Sequence, residues 1–221
     1  MHPAPGVFDG SANTIAVLVL LTEFAMLRAA LLRAQLRLYA AQSLLLSVLA
    51  VIVAASRDVP ELYVLAALSF VLKVIMVPVV VTRLLRDTSA EIASSGALGV
   101  ASEVLLAIIA AAFGLFATAQ LGISSPVLPA TALAVSVAVV LVAFVLIIVR
   151  SDLVSQAVGF FSLENGVSLA SLVVAAGLPL ILEVAFLFDL LVAVVIFGVL
   201  ARVTYGQSGS LLTATLTKLR G

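Results

Sequence analysis

Stretches of about twenty apolar residues follow one another along this chain, and each is long enough to cross a hydrocarbon core of ~30 Å as a helix. They fall at residues 13–32, 38–56, 61–83, 98–119, 127–149, 153–176 and 179–201. Lipid offers no partner to a backbone N–H or C=O, so such stretches must satisfy their own hydrogen bonds, and a helix does so within one segment. The fold expected is therefore all-α: an integral membrane bundle of about seven transmembrane helices. The interruptions carry turn and breaker residues: Arg33 to Arg37, Ser56 to Pro60, Arg86 to Ser95, Gly122 to Pro129, Arg150 to Asp152, and Gly177 to Pro179. The last is so short that the sixth and seventh helices should form an antiparallel hairpin. No basic run and no cleavage pattern accompany the first stretch, which reads as a retained helix and not a signal peptide.

Composition narrows the function classes. Hydrophobic residues make up 64% of the chain and charged residues 10%, against about 25% charged in soluble domains. Mean hydropathy is +1.37. Eleven basic and eleven acidic residues balance, which gives no case for nucleic-acid binding. Cysteine is absent and the single histidine is His2, so thiolate, iron–sulfur and haem ligation are not expected. The expectation is that this chain binds no cofactor of its own and that its surroundings are membrane lipids.

Basic residues sort by side. Arg28, Arg33, Arg37, Arg83, Arg86, Arg150, Arg202, Lys218 and Arg220 all fall on one side of a seven-helix arrangement, while the other holds Arg57 beside Asp58 and Glu61. An even number of spans would break this sorting. The positive-inside tendency then places the N-terminus outside and the C-terminus in the cytoplasm.

Three ionisable residues interrupt the apolar stretches at similar depth. Lys73 precedes Arg86 by 13 residues, Glu164 follows Arg150 by 14, and Asp189 precedes Arg202 by 13. At 1.5 Å per residue each lies about 20 Å from the basic side, near the midplane. A charge there costs roughly 2.5–3.5 kcal/mol on insertion scales, and intramembrane charges usually pair or move ions. Glu164, Asp189 and Lys73 are therefore the candidate proton relay. Gln42 and Asn165 are candidate partners, and Glu23 and Glu103 further candidates for relay or support. The plain alternatives are structural: Glu103 is one turn inside its helix and could reach the headgroups, and Glu183 reads as interfacial. Pro78 cannot donate to the carbonyl of Val74, so a kink is expected beside Lys73.

Small residues, as in Ala110-Ala111-Ala112 and Ser168-Leu169-Ala170-Ser171, permit close helix packing in lipid. Helices one to three and five to seven also look loosely alike. Arg28 to Gln42 matches Arg150 to Glu164 in length, and Lys73 to Arg86 matches Asp189 to Arg202, as a parallel repeat with helix four as linker would require. The organisation read from this is a four-helix membrane region at 1–126, a three-helix region at 127–205 and a cytoplasmic tail at 206–221.

The run Gly159-Phe160-Phe161-Ser162-Leu163-Glu164-Asn165-Gly166, with Arg150 ahead of it, resembles the family of the E-type membrane component of hydrogenase-4, a branch of the complex-I-like group 4 membrane hydrogenases. Tyr39-Ala40-Ala41-Gln42-Ser43-Leu44, Lys73-Val74-Ile75-Met76-Val77-Pro78, Asp189 and the tail Leu216-Thr217-Lys218-Leu219-Arg220-Gly221 are similar to that family in order and spacing. Helices five to seven also resemble the small K-type (chain 4L) subunit of respiratory complex I, which has two intramembrane glutamates. Its second glutamate corresponds to Asp189. Its first falls at Phe161, and this chain carries Glu164 one helical turn further on. The resemblance implies a subunit without a catalytic centre that joins a redox arm to antiporter-like membrane subunits and supplies charged residues to proton or sodium translocation. From the residues alone, a structural scaffold for such a complex and an independent secondary transporter stay open. The polar inventory is sparse for a substrate cavity.

Overall fold

The computed structural model describes residues 7–86, 93, 98–120, 128, 130–174 and 179–208. Helix α1 (Val7–Arg28) is followed after a short turn by α2 (Leu32–Arg57). Asp58 then closes α2 in the left-handed region (φ 55°), with the Val59 N–H returning to the Ala54 carbonyl at 3.2 Å. Aspartate tolerates this conformation better than most residues. Helix α3 (Glu61–Ser69) runs through a π-helical segment (Phe70–Met76) into α4 (Val77–Arg86) as one continuous span. The remaining helices are α5 (Val100–Ala119), α6 (Ala130–Val149), α7 (Leu153–Val174) and α8 (Pro179–Ser208). The described residues hold seven spans long and apolar enough to cross a bilayer. The chain is an all-α, multi-pass membrane protein.

One local feature differs from expectation, and a second adds to it. The first break is at residues 29–31, so Arg33 and Arg37 lie inside α2. Arginine is a good helix former, and its long stem lets a helix continue while the head reaches water. Near Pro78 the helix widens ahead of the proline, and the Val77 N–H bonds the Leu72 carbonyl five residues back. Proline lacks an N–H and crowds the carbonyl four residues before it. An added residue in the preceding turn relieves that conflict. Lys73 is the buried residue of this widened turn. The turn Gly177-Leu178 and the tail 209–221 lie outside the described residues, as does the side chain of Glu183.

Helices α1, α2 and α3 form one layer against α6, α7 and α8, paired in that order, with α5 flanking α6. The α6–α7 contact is the most extensive. It depends on Gly159 and Gly166, two turns apart on one face of α7. A Cβ on Gly166 would meet Val140 Cγ2 at 2.8 Å and the Val140 backbone N at 3.1 Å. A Cβ on Gly159 would meet Ile147 Cγ1 at 2.8 Å.

The apolar interior is divided in two. One cluster includes Leu27, Leu36, Tyr39, Val77, Leu146, Phe161 and Leu190, toward the end where the arginines gather. The other includes Ala16, Val19, Leu49, Leu62, Ala132, Leu169 and Leu187, toward the opposite end. On every helix of the two layers a polar residue stands between the two clusters: Glu23, Gln42, Lys73, Ser136, Glu164 or Asp189.

Candidate functional site

This polar layer divides around α7. On one side Lys73 Nζ lies 3.5 Å from Glu164 Oε1 and donates to Ser168 Oγ at 3.0 Å. Ser168 follows Glu164 by four residues, so both project from one face of α7 toward the widened turn. Both members of the ion pair are buried. Neither Glu164 oxygen has a hydrogen-bond partner among the described residues, so its compensation is the lysine charge. Asp189, on α8, is within electrostatic reach of Glu164. Its side chain is exposed on the outside of the chain.

On the other side of α7, Asn165 faces α2. Its Nδ2 donates to Gln42 Oε1 and to Ser43 Oγ, each at 2.9 Å. Gln42 Nε2 donates to Glu23 Oε2 at 2.9 Å and to the Val19 carbonyl at 3.3 Å. Ser162 Oγ contacts Glu23 Oε2 and also Gln42 Oε1 at 2.9 Å. Glu23, Gln42, Ser43, Ser162 and Asn165 are buried. Consecutive residues on a helix do not share a face, and so Glu164 and Asn165 enter two separate networks.

Aromatic rings cover this layer toward the arginine-rich end. Tyr39 and Phe161 have centroids 5.8 Å apart, and Phe197 of α8 stands 6.0 Å from both Phe160 and Phe161. Tyr39 is fully buried, and its hydroxyl is within reach of Ser43 and of the Glu164 charge.

Beyond the aromatic layer the two helix turns are tied together. Arg150 donates through Nη2 to the Leu27 carbonyl. Asp152 caps α7, its Oδ1 accepting from the Ser155 N–H at 2.7 Å. Ser155 Oγ donates to Gln35 Oε1 at 2.8 Å, and Gln35 Nε2 reaches the Ala29 carbonyl at 3.2 Å. Glu103 is 1% exposed at the start of α5, so it does not extend to the headgroups. It stands apart from the midplane layer, and its Oε1 has no hydrogen-bond partner among the described residues.

Of the residues singled out from sequence, the structure joins Lys73 to Glu164, joins Glu23, Gln42 and Asn165, and leaves Asp189 exposed on α8 within electrostatic reach of Glu164. Tyr39, Ser43, Ser162 and Ser168 complete the site and were not singled out. Ser168 was legible in its four-residue spacing from Glu164. Ser162 and Tyr39 lie in the runs that carry the family resemblance, but nothing in those runs marked them as site residues. Among the described residues, no three of His, Cys, Asp and Glu converge as a metal ion would require.

Comparison with known proteins bears on the whole chain. It is 26% identical over 209 residues to "Hydrogenase-4 component E" of Escherichia coli (strain K12), covering 95% of this chain and 97% of that protein. The component E of Shigella flexneri matches at the same identity and coverage. A 63-residue segment is 44% identical to an uncharacterized protein of Mycobacterium tuberculosis, covering 28% of this chain and 29% of that one. No family model matches, and no solved structure matches.

Proposed function

We propose that this chain, a relative of hydrogenase-4 component E along nearly its whole length, is a membrane subunit of a complex-I-like, group 4 hydrogenase-type assembly. It carries no catalytic centre and contributes intramembrane charges to redox-coupled translocation of protons or sodium. It links the redox arm to antiporter-like subunits. Its N-terminus is outside and its C-terminus in the cytoplasm, as the arginine sorting supports. Residues 127–205 act as the K-type unit, 1–126 as the accompanying membrane region and 206–221 as the tail.

The observation that carries this reading is the buried Lys73–Glu164 pair at 3.5 Å, with Asp189 within electrostatic reach of Glu164. A buried pair of this kind is a poor device for stability, since desolvation can exceed the attraction. It suits a relay, because neutralising one member changes the energy of charging the next. A proton taken up by Glu164 cancels the pair and leaves Lys73 uncompensated. The lysine then favours a charged Asp189. Exposed Asp189 is where a neighbouring subunit would continue the chain of charges, since a carboxylate facing lipid at this depth is costly.

The Glu23 network supports a second proton-holding position. A hydroxyl has one hydrogen to give, so Ser162 cannot donate to Glu23 and Gln42 at once. A proton on Glu23 satisfies both contacts, with Glu23 giving to Ser162 and Ser162 to Gln42.

The experiment is Glu164→Gln and Asp189→Asn in the assembled complex, measuring redox turnover and ion translocation separately. Retained turnover with lost translocation supports the relay. Unchanged translocation in both variants refutes it, and loss of assembly favours a scaffold.

A further inference from the structure

Helices α4 and α8 diverge on the outer surface and leave a groove of about 630 Å³. Met76 and Val80 form one wall, Leu191 and Gly198 the other, and Arg83 and Arg202 stand at one end. Both arginines are exposed, and neither pairs with a carboxylate among the described residues. From Leu191 to Arg202 the α8 wall rises about 16 Å at 1.5 Å per residue. That is half of a ~30 Å hydrocarbon core. The groove therefore starts beside the polar layer, near Lys73 and Asp189, and ends at the plane of the headgroups. A helix-interior glycine is unfavourable, and nothing within the chain requires Gly198, since a Cβ there meets nothing within 4 Å.

We infer that this groove is a site for one anionic phospholipid. Its phosphate is held between Arg83 and Arg202, and an acyl chain lies along Gly198 toward the midplane. The guanidinium fork matches phosphate oxygens in pairs. The charge at one end, the apolar walls and the one-leaflet length fit a lipid. A protein helix seated there would need its own acid at the arginine level. Lying between the helices that carry Lys73 and Asp189, the lipid sets how closely those helices approach.

The test is native mass spectrometry of the full chain released from nanodiscs of phosphatidylcholine containing a minority of phosphatidylglycerol. The wild-type chain is expected to retain one phosphatidylglycerol with about tenfold preference, the scale of one strong ionic contact. Arg83→Gln with Arg202→Gln should abolish the preference. Gly198→Leu, which fills the groove and leaves both arginines, should expel the lipid. Equal retention of the two lipids by the wild-type chain would overturn the inference. So would undiminished phosphatidylglycerol retention in the Gly198→Leu chain.

Discussion

Lys73 and Glu164 meet at 3.5 Å across more than ninety residues of chain, from a π-helical turn on one side and the middle of α7 on the other. Removing either partner alone strands a charge between two apolar clusters. Breaking a buried pair in this way costs about 3–5 kcal/mol, whereas removing both charges can be nearly neutral. Lys73→Met should therefore unfold at clearly lower temperature than the wild-type chain in detergent. Lys73→Met with Glu164→Gln should recover most of the loss. Additive losses in this cycle would mean that the two side chains do not interact.

Glu23 should tolerate an amide and not a hydrocarbon. Gln42 Nε2 and Ser162 Oγ both meet Glu23 Oε2, and the amide of Glu23→Gln can serve one of them there, so its effect on stability should stay near about 1 kcal/mol, that of one net hydrogen bond. Glu23→Leu strands Gln42 and Ser162 and should cost about 1–3 kcal/mol for each buried group left unpaired. Equal losses in the two variants, measured by denaturant unfolding, would contradict the proton-holding arrangement. A protonated carboxyl band in the infrared spectrum that survives Glu23→Gln would contradict its assignment to Glu23.

Gly166 should resist any side chain. Its added Cβ meets the Val140 backbone N at 3.1 Å, and a backbone atom cannot turn aside as a side chain can. Gly166→Val should cost about 1–3 kcal/mol by overpacking. Gly10→Ala, where a Cβ meets nothing within 4 Å, should be neutral or stabilising. Matching unfolding midpoints for both variants would show that α6 and α7 are not held at this distance.

The turn entering α7 makes a smaller, local prediction. Asp152 caps the helix through the Ser155 N–H, and loss of such a cap costs about 1 kcal/mol. Asp152→Ala should speed amide exchange at Leu153 to Ser155. Asp152→Asn, which keeps an acceptor, should restore protection. Unchanged exchange in the alanine variant would remove the cap from the account.

Asp189 behaves differently because it is exposed in the chain alone. Asp189→Asn should leave thermal unfolding of the isolated chain unchanged or shift it upward, since an exposed carboxylate at this depth is costly in apolar surroundings. A large loss of stability in the isolated chain would show that the carboxylate is bound internally.

Much of this protein was written in one dimension. The apolar stretches determine seven spanning helices, because lipid allows few other ways to satisfy the backbone. The helical rise alone puts Lys73, Glu164 and Asp189 at one level. Tertiary structure decided the rest. Sequence placed a break at Arg33 to Arg37, yet α2 absorbs those arginines. It marked Pro78 as a disturbance of its helix, but not that the preceding turn would widen and carry Lys73 inward. Which way Glu164, Asn165 and Asp189 face depends on helix rotation, and rotation is set by packing, above all where Gly159 and Gly166 let α7 close on α6. Hydropathy fixes depth along a helix, but only its neighbours fix direction around it. Hence the level of the charges could be read from the chain, while their division into an ion pair, a carboxamide–hydroxyl network and an outward-facing acid could not.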